Sequence, residues 1–175
     1  QKIKKLQPSW RNELEIVDAL QMILDSKGTI NYDIITDFWK DTGTPNDIIR
    51  ANEIILKNMK HSCIQSDFTI EIPNNVTLGM NVTMTDDSKI IGPAIIGDNC
   101  IIKNNSIIGK NVSIGNNSLI SNCSIEDSII MNDCTIDSNI SIKDSIISNN
   151  SEIFSKNENS KNKKLLLGEG TKITF

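Results

Sequence analysis

Ile90-Ile91-Gly92-Pro93-Ala94-Ile95-Ile96-Gly97-Asp98-Asn99-Cys100-Ile101-Ile102-Lys103-Asn104-Asn105-Ser106-Ile107-Ile108 decides the fold, because an aliphatic residue returns in it at every sixth position. The series extends in both directions, through Ile72, Leu78, Met84, Ile90, Ile96, Ile102, Ile108, Ile114 and Ile120. Four positions after each stands a small or β-branched residue: Val76, Val82, Ser88, Ala94, Cys100, Ser106, Val112, Ser118 and Ser124. Asn, Asp and Lys fill many of the positions between. The phase breaks over Glu126 to Ile129 and resumes at Ile130, Ile136 and Ile142, with Cys134, Ile140 and Ile146 in the second class.

A period of six is not helical, since a helix wants apolar residues at i, i+3, i+4 and i+7. It fits one flat face of a triangular prism, a short strand followed by a corner. Three faces make a circuit of 18 residues, so Ile72, Ile90 and Ile108 form one column, Leu78, Ile96 and Ile114 a second, and Met84, Ile102 and Ile120 a third. Each buried aliphatic contributes roughly 1.5–3 kcal/mol, and stacked circuits hold a continuous core that one circuit could not. The small second-class residue points inward where the corner leaves little room. Corner Asn supplies the left-handed backbone that Gly would otherwise provide. Composition agrees: 33 Ile and 22 Asn in 175 residues, against 4% aromatics. Triplets such as Asn75-Val76-Thr77 and Asn111-Val112-Ser113 arise more simply from this pattern than as glycosylation acceptors.

Upstream the period changes. Leu14, Val17, Leu20, Ile23 and Leu24 are spaced for a helix, with Asn12 and Glu15 as a variant capping box and Gly28 as its stop. Residues 29–36 read as a strand. Residues 38–45 read as a turn into a second helix, with Thr44 at the N-cap, Pro45 at the first helical position, Asp47 closing the cap and the end near Lys60. That helix is placed to cover the first circuit. Residues 1–61 thus form a small α/β piece, 70–153 the prism, and 154–175 a mobile polar loop (residues 155–164) with closing strands at Leu165-Leu166-Leu167 and residues 171–175.

The formal net charge of −4 argues against a nucleic-acid or anionic-membrane surface. No apolar run is long enough to span a bilayer, and no signal-peptide pattern opens the chain. Cys63, Cys100, Cys123 and Cys134 form no CxxC pair, so reduced thiols in a cytoplasmic protein are expected.

The repeat resembles the hexapeptide-repeat, left-handed parallel β-helix over about 76 residues, Ile72 to Ile147. Left-handedness comes from that resemblance, since the usual crossover rule gives the opposite hand. The fold class expected is therefore mainly β, a left-handed parallel β-helix behind a small α/β remnant.

Pro8-Ser9-Trp10-Arg11-Asn12-Glu13-Leu14-Glu15-Ile16-Val17-Asp18-Ala19, followed by Trp39-Lys40-Asp41-Thr42-Gly43-Thr44, resembles the end of a sugar-1-phosphate nucleotidyltransferase domain. The similarity is to the long glucose-1-phosphate thymidylyltransferases, which carry a β-helix after the catalytic domain. The resemblance implies an enzyme that joins a nucleoside triphosphate to a sugar 1-phosphate and releases pyrophosphate. It implies Mg²⁺ as cofactor, held by two acidic residues, of which Asp41 matches the second. It matches Arg11 to a position contacting the sugar phosphate, and a guanidinium fork suits a phosphate. Without that context Asp41 reads as a turn cap and Arg11 as a partner of Glu13 or Glu15. The family's Gly-rich nucleotide loop, first metal-binding Asp and Glu-Lys-Pro stretch lie upstream of the matched part. The chain is therefore expected to be the C-terminal portion of a longer enzyme and inactive alone, with no complete catalytic set.

Some hexapeptide proteins are acetyl-coenzyme A-dependent acyltransferases, whose chemistry wants a histidine base. The single histidine, His61, precedes the first repeat, so that alternative is disfavoured. The prism is expected to serve assembly and regulation, as a homo-oligomer in which a trimer is favoured.

Overall fold

The computed structural model describes residues 4, 6–36, 39–60, 62, 71–154 and 166–174. His61, Cys63 and the loop over 155–164 lie outside the described residues. The chain divides into two compact units, Gln1–Trp39 and Lys40–Phe175.

The first unit is built on helix α1 (Ile16–Asp25). Its N-cap is Glu15, which makes no side-chain capping bond. Asn12 instead occupies a left-handed turn at φ 59°. The helix ends in a Schellman arrangement: Lys27 takes the left-handed position at φ 58°, its N–H donates to Leu24 O at 2.8 Å, and Gly28 N–H donates to Ile23 O at 2.9 Å. Gly28 is needed for a different reason than turning, because a Cβ there would sit 3.0 Å from the Ile23 carbonyl oxygen. The strand expected over residues 29–36 is not formed. No described strand lies beside it to pair its backbone, and Tyr32, Ile34 and Ile35 are exposed.

The second unit begins with helix α2 (Pro45–Asn58), started as expected by a complete capping box between Thr44 and Asp47 with Pro at its first position. Among the described residues four complete parallel circuits follow, and strands of two more. The first carries β1 (Val76–Leu78), β2 (Thr83–Met84) and β3 (Lys89–Ile90); the second β4 (Ala94–Ile96), β5 (Ile101–Lys103) and β6 (Ile107–Ile108). In the third, β7 (Val112–Ile114) is followed by β8 (Leu119–Glu126), which runs through two faces. The fourth repeats this with β9 (Ile129–Ile130) and β10 (Thr135–Lys143). Strands β11 (Ile146–Ile147) and β12 (Glu152–Phe154), then β13 (Leu166–Leu167) and β14 (Lys172–Thr174), end the stack.

One face is the six-stranded sheet β1-β4-β7-β9-β11-β13. A second is β2-β5-β8-β10-β12-β14, and β3-β6-β8 belongs to the third. Every pairing is parallel, which makes this a β-solenoid. The expected columns are present: Leu78, Ile96 and Ile114 stand in register, as do Met84, Ile102 and Ile120, and Ile90 with Ile108. Ile72 packs against this core partly buried.

The supposed phase break is a shortening of the circuit. Ile125 is fully buried and stands on Ile108, while Ile130 stands on Ile114 and Ile147 on Ile130. Three corners have lost one residue and turn on Asn122, Asp127 and Asp144 alone, at φ 54°, 46° and 48°. Full corners also turn on one left-handed residue, as at Asn81, Asn99, Asn111 and Asn117, while the corner between β5 and β6 uses two, Asn104 and Asn105. Shortening moves the inward small positions, so Cys123 and Ser145 are buried, where the sequence pattern had named Ser124 and Ile146.

Helix α2 does not cap the first circuit. It lies along the outer surface of the face containing β7. Asn52 is bonded to Ser113 and Asn111, and Pro45 shares a small cleft with Ile146 and Leu166. Seven residues of helix advance about 10.5 Å, close to the roughly 9.6 Å across two strand spacings from β11 to β7. The helix therefore rides down the stack. This contact explains why the second unit starts at Lys40 and takes in a helix assigned by sequence to the first segment. Beside β1 the backbone of Ser62 supplies a partner, accepting from Leu78 N–H at 3.1 Å.

Candidate functional site

The Lys40-Asp41-Thr42-Gly43-Thr44 loop gains its geometry from the start of α2. Thr44 donates its backbone N–H and its hydroxyl to Asp47 Oδ2 at 3.2 and 2.7 Å, and accepts from Asp47 N–H at 3.2 Å. Lys40 Nζ lies 2.6 Å from Asp47 Oδ1. Lys40 and then Thr44 hold the Asp47 carboxyl below its ordinary range. Both ends of the loop are thus tied to the first helical turn. Asp41, between them, is exposed and makes no hydrogen bond or ion pair among the described residues. A Cβ at Gly43 would make only ordinary contact with the Asp41 carboxylate oxygens, at 3.7 Å from each. Asp41 is not a turn cap; Thr44 and Asp47 do that work.

Arg11 lies in the first unit, in the turn before α1. Its Nη2 is 2.8 Å from Glu15 Oε1 and 3.7 Å from Glu13 Oε2. The Arg11 bond is the main cause that lowers the Glu15 carboxyl below its usual range. Arg11 therefore has the local carboxylate partners that its neighbours in sequence suggested. Arg11 and Asp41 belong to different units. Among the described residues no group of three or more His, Cys, Asp and Glu is gathered as a metal site.

A cleft of about 480 Å³ runs between α2 and the corner that leads into β7, lined by Arg50, Glu53, Lys110, Asn111, Asp127 and Asp144 among others. Its charges are mutually engaged. Glu126 pairs with Lys143 at 3.2 Å and Lys110 at 3.3 Å, and Lys143 reaches Asp127 at 3.6 Å. The first of these bonds lowers the Glu126 carboxyl and raises the Lys143 ammonium. Glu53 takes Arg50 at 3.1 Å and Lys57 at 2.6 Å.

Sequence reasoning missed Asn52. Its Nδ2 donates to Asn111 O at 3.1 Å, and its Oδ1 accepts the Ser113 hydroxyl at 2.6 Å. The signal was present: Ile49, Asn52 and Leu56 share one helical stripe, and Ile49 and Leu56 are buried. A polar residue in such a stripe marks a specific partner.

Cys100, Cys123 and Cys134 are free and buried. Burial pushes all three thiols up, Cys123 to about 12. Among the described residues no helix is long and apolar enough to cross a membrane.

Comparison with known proteins places these features. The family model for nucleotidyl transferase matches residues 1–58, and that for the GMPPB C-terminal domain matches residues 90–174. The low-salt glycan biosynthesis nucleotidyltransferase Agl11 of Haloferax volcanii is 40% identical over 72 residues, 39% of this chain and 20% of that protein. A glucose-1-phosphate thymidylyltransferase of Streptomyces antibioticus is 35% identical over 97 residues, 54% of this chain and 27% of that protein. The bifunctional protein GlmU of Methanococcus vannielii is 33% identical over 84 residues, 48% of this chain and 19% of that protein. The chain thus spans about a quarter or less of the length of these curated relatives. The first match ends with α2 and the second lies within the solenoid, so the chain is similar to nucleotidyl transferases over its first third and to the GMPPB C-terminal domain over most of its second half.

Proposed function

We propose that this chain is the C-terminal portion of a sugar-1-phosphate nucleotidyltransferase of the glucose-1-phosphate thymidylyltransferase kind. The reaction is nucleoside triphosphate plus sugar 1-phosphate to nucleotide sugar plus pyrophosphate. The observation that carries this reading is the Asp41 loop, an open carboxylate braced at both ends in a segment that matches nucleotidyl transferases. Such a carboxylate fits Mg²⁺, which keeps several waters and takes one or two protein carboxylates. When bound, the ion supplies charge neutralisation and orientation of the phosphates. Asp41 holds it, and the Lys40 and Thr44 tethers keep that carboxylate from collapsing onto α2. Arg11 exchanges Glu15 and Glu13 for the sugar phosphate.

The solenoid serves assembly. Ile91, Ile101 and Ile107 are 49%, 42% and 40% exposed on the faces that α2 leaves uncovered. A second copy of the chain suits this surface, and a trimer is the expected arrangement. The buried unpaired thiols support a reducing, cytoplasmic setting.

The test is pyrophosphate release by the enzyme carrying this chain, with glucose 1-phosphate and each of dTTP, UTP and GTP. Mg²⁺-dependent turnover is expected, falling about 10²-fold or more in Asp41→Asn. Turnover indifferent to that substitution overturns the role of Asp41, and absence of turnover with every pair overturns the reading. The chain alone is expected to be inactive, and to sediment as an oligomer; a monomer at micromolar concentration overturns the assembly role.

A further inference from the structure

We infer that the solenoid positions the Asp41 loop through α2, with Ser113 of β7 and Asn52 of α2 as the positioning pair. The inference rests on the role proposed for Asp41 and extends it to a residue 72 positions away in sequence.

The chain of contacts is continuous. Asp41 is fixed relative to α2, because Lys40 and Thr44 on either side of it both bond Asp47 in the first turn. The body of α2 carries an exposed outer surface, with Ile48 41% and Ile55 62% exposed, and only Ile49 and Leu56 are buried. Two apolar residues in fourteen fix the helix on the solenoid without fixing its register along the stack, since the columns beneath repeat at every strand spacing. Asn52 removes that freedom. It reads one donor and one acceptor at a single place, the Ser113 hydroxyl and the Asn111 carbonyl oxygen. The residues in register with Ser113 are Ile95 on one side and Ile129 on the other. Neither could donate to Asn52. A slip of one circuit would leave a half-buried amide oxygen without a partner, and the Asp41 loop would move with the helix by about 4.8 Å.

The test compares Ser113→Val with Ser113→Thr, which have the same shape and β-propensity but differ in the hydroxyl. In the present chain, hydrogen exchange of amides 41–50 is expected to accelerate about fivefold in Ser113→Val and to stay near the parent rate in Ser113→Thr. Exchange in β4 and β5 should be unchanged in both. Asn52→Ala should reproduce the Val effect, and adding it to Ser113→Val should produce little more. In the enzyme carrying this chain, the Mg²⁺ concentration for half-maximal rate should rise by a similar factor in Ser113→Val alone, with the nucleotide KM unchanged. Equal exchange in Val and Thr variants overturns the inference, as does acceleration spread evenly through the solenoid. Faster loop exchange with unchanged Mg²⁺ dependence also overturns it. If that enzyme transfers no nucleotidyl group, the functional reading falls, and the exchange experiment still decides whether the solenoid holds the loop.

Discussion

Asn99 sits between Asn81 and Asn117 in a side-chain ladder, accepting from Asn81 Nδ2 and donating to Asn117 Oδ1 at 3.1 Å each. Asn117 passes the ladder on to Asp133 Oδ1 at 3.0 Å. Each member also holds a left-handed backbone, with Asn99 at φ 57°. The same side chain thus relieves corner strain and joins one circuit to the next. The two contributions separate by substitution. Asn99→Gly keeps the backbone freedom and loses the ladder, and should cost about 1 kcal/mol. Asn99→Ala loses both and should cost about 2–3 kcal/mol. Urea unfolding of the two variants checks the order; equal costs would mean that the ladder carries all of the effect.

Ile107 and Ile108 are neighbours with opposite fates, one 40% exposed and the other fully buried. Ile108→Ala opens a cavity between Ile90 and Ile125 and should cost about 2–5 kcal/mol. Ile107→Ala should change the stability of the isolated chain by no more than about 0.5 kcal/mol at concentrations where it does not associate. If the chain oligomerises through this face, the same variant should weaken association, read by sedimentation across a concentration series. A large loss of stability in both variants would contradict the alternation.

The solenoid was legible because its core repeats one residue type at one spacing, so every circuit votes for the same fold. Ile125 escaped the pattern for a local reason. A corner can turn on one left-handed residue as well as on two, and Asp127 and Asn122 do so while their side chains look like those of any other corner. The path of α2 was illegible because solenoid faces offer similar outward rows, and only Asn52 distinguishes where the helix docks. At residues 29–36 propensity gave the wrong answer, since a strand exists only when a neighbour pairs with it. Asp41 is singled out as a candidate by motif resemblance alone. Composition alone would have made it a turn residue.

The thiols give a separate check on packing. Cys123 is buried against the shortened corner, and burial raises it to about 12. Cys100 and Cys134 are likewise raised, chiefly by burial. At pH 8 these three should be almost wholly protonated and shielded, so alkylation should be slow in the native chain and fast in urea. Peptide mapping by mass spectrometry after a timed iodoacetamide pulse reads each cysteine separately. Fast native labelling of Cys123 would mean that the corner opens, contrary to its packing.

Acid should release the Asp41 loop before it unfolds the solenoid. Asp47 has its carboxyl lowered, first by Lys40 and then by Thr44, so its contribution to holding the loop is fully present above the ordinary aspartate value of 3.8. As pH falls through the lowered value, protonation removes the Lys40 ion pair and one side of the capping box. Among the described residues the buried columns of the solenoid hold no carboxylate, being Ile, Leu, Val, Ala, Cys and Ser with Asn111 at a corner, so its stability should change less over the same range. Exchange of amides 44–50 should therefore accelerate, relative to the β4–β7 amides, as pH drops below about 3.8, after correction for the intrinsic pH dependence. Asp47→Asn should show the faster exchange already at pH 7, and Thr44→Ala, which removes one of the bonds that hold the Asp47 carboxyl down, should weaken the helix start by about 1 kcal/mol and move the transition to higher pH. A transition in which helix and solenoid amides accelerate together would place the acid-sensitive contact elsewhere.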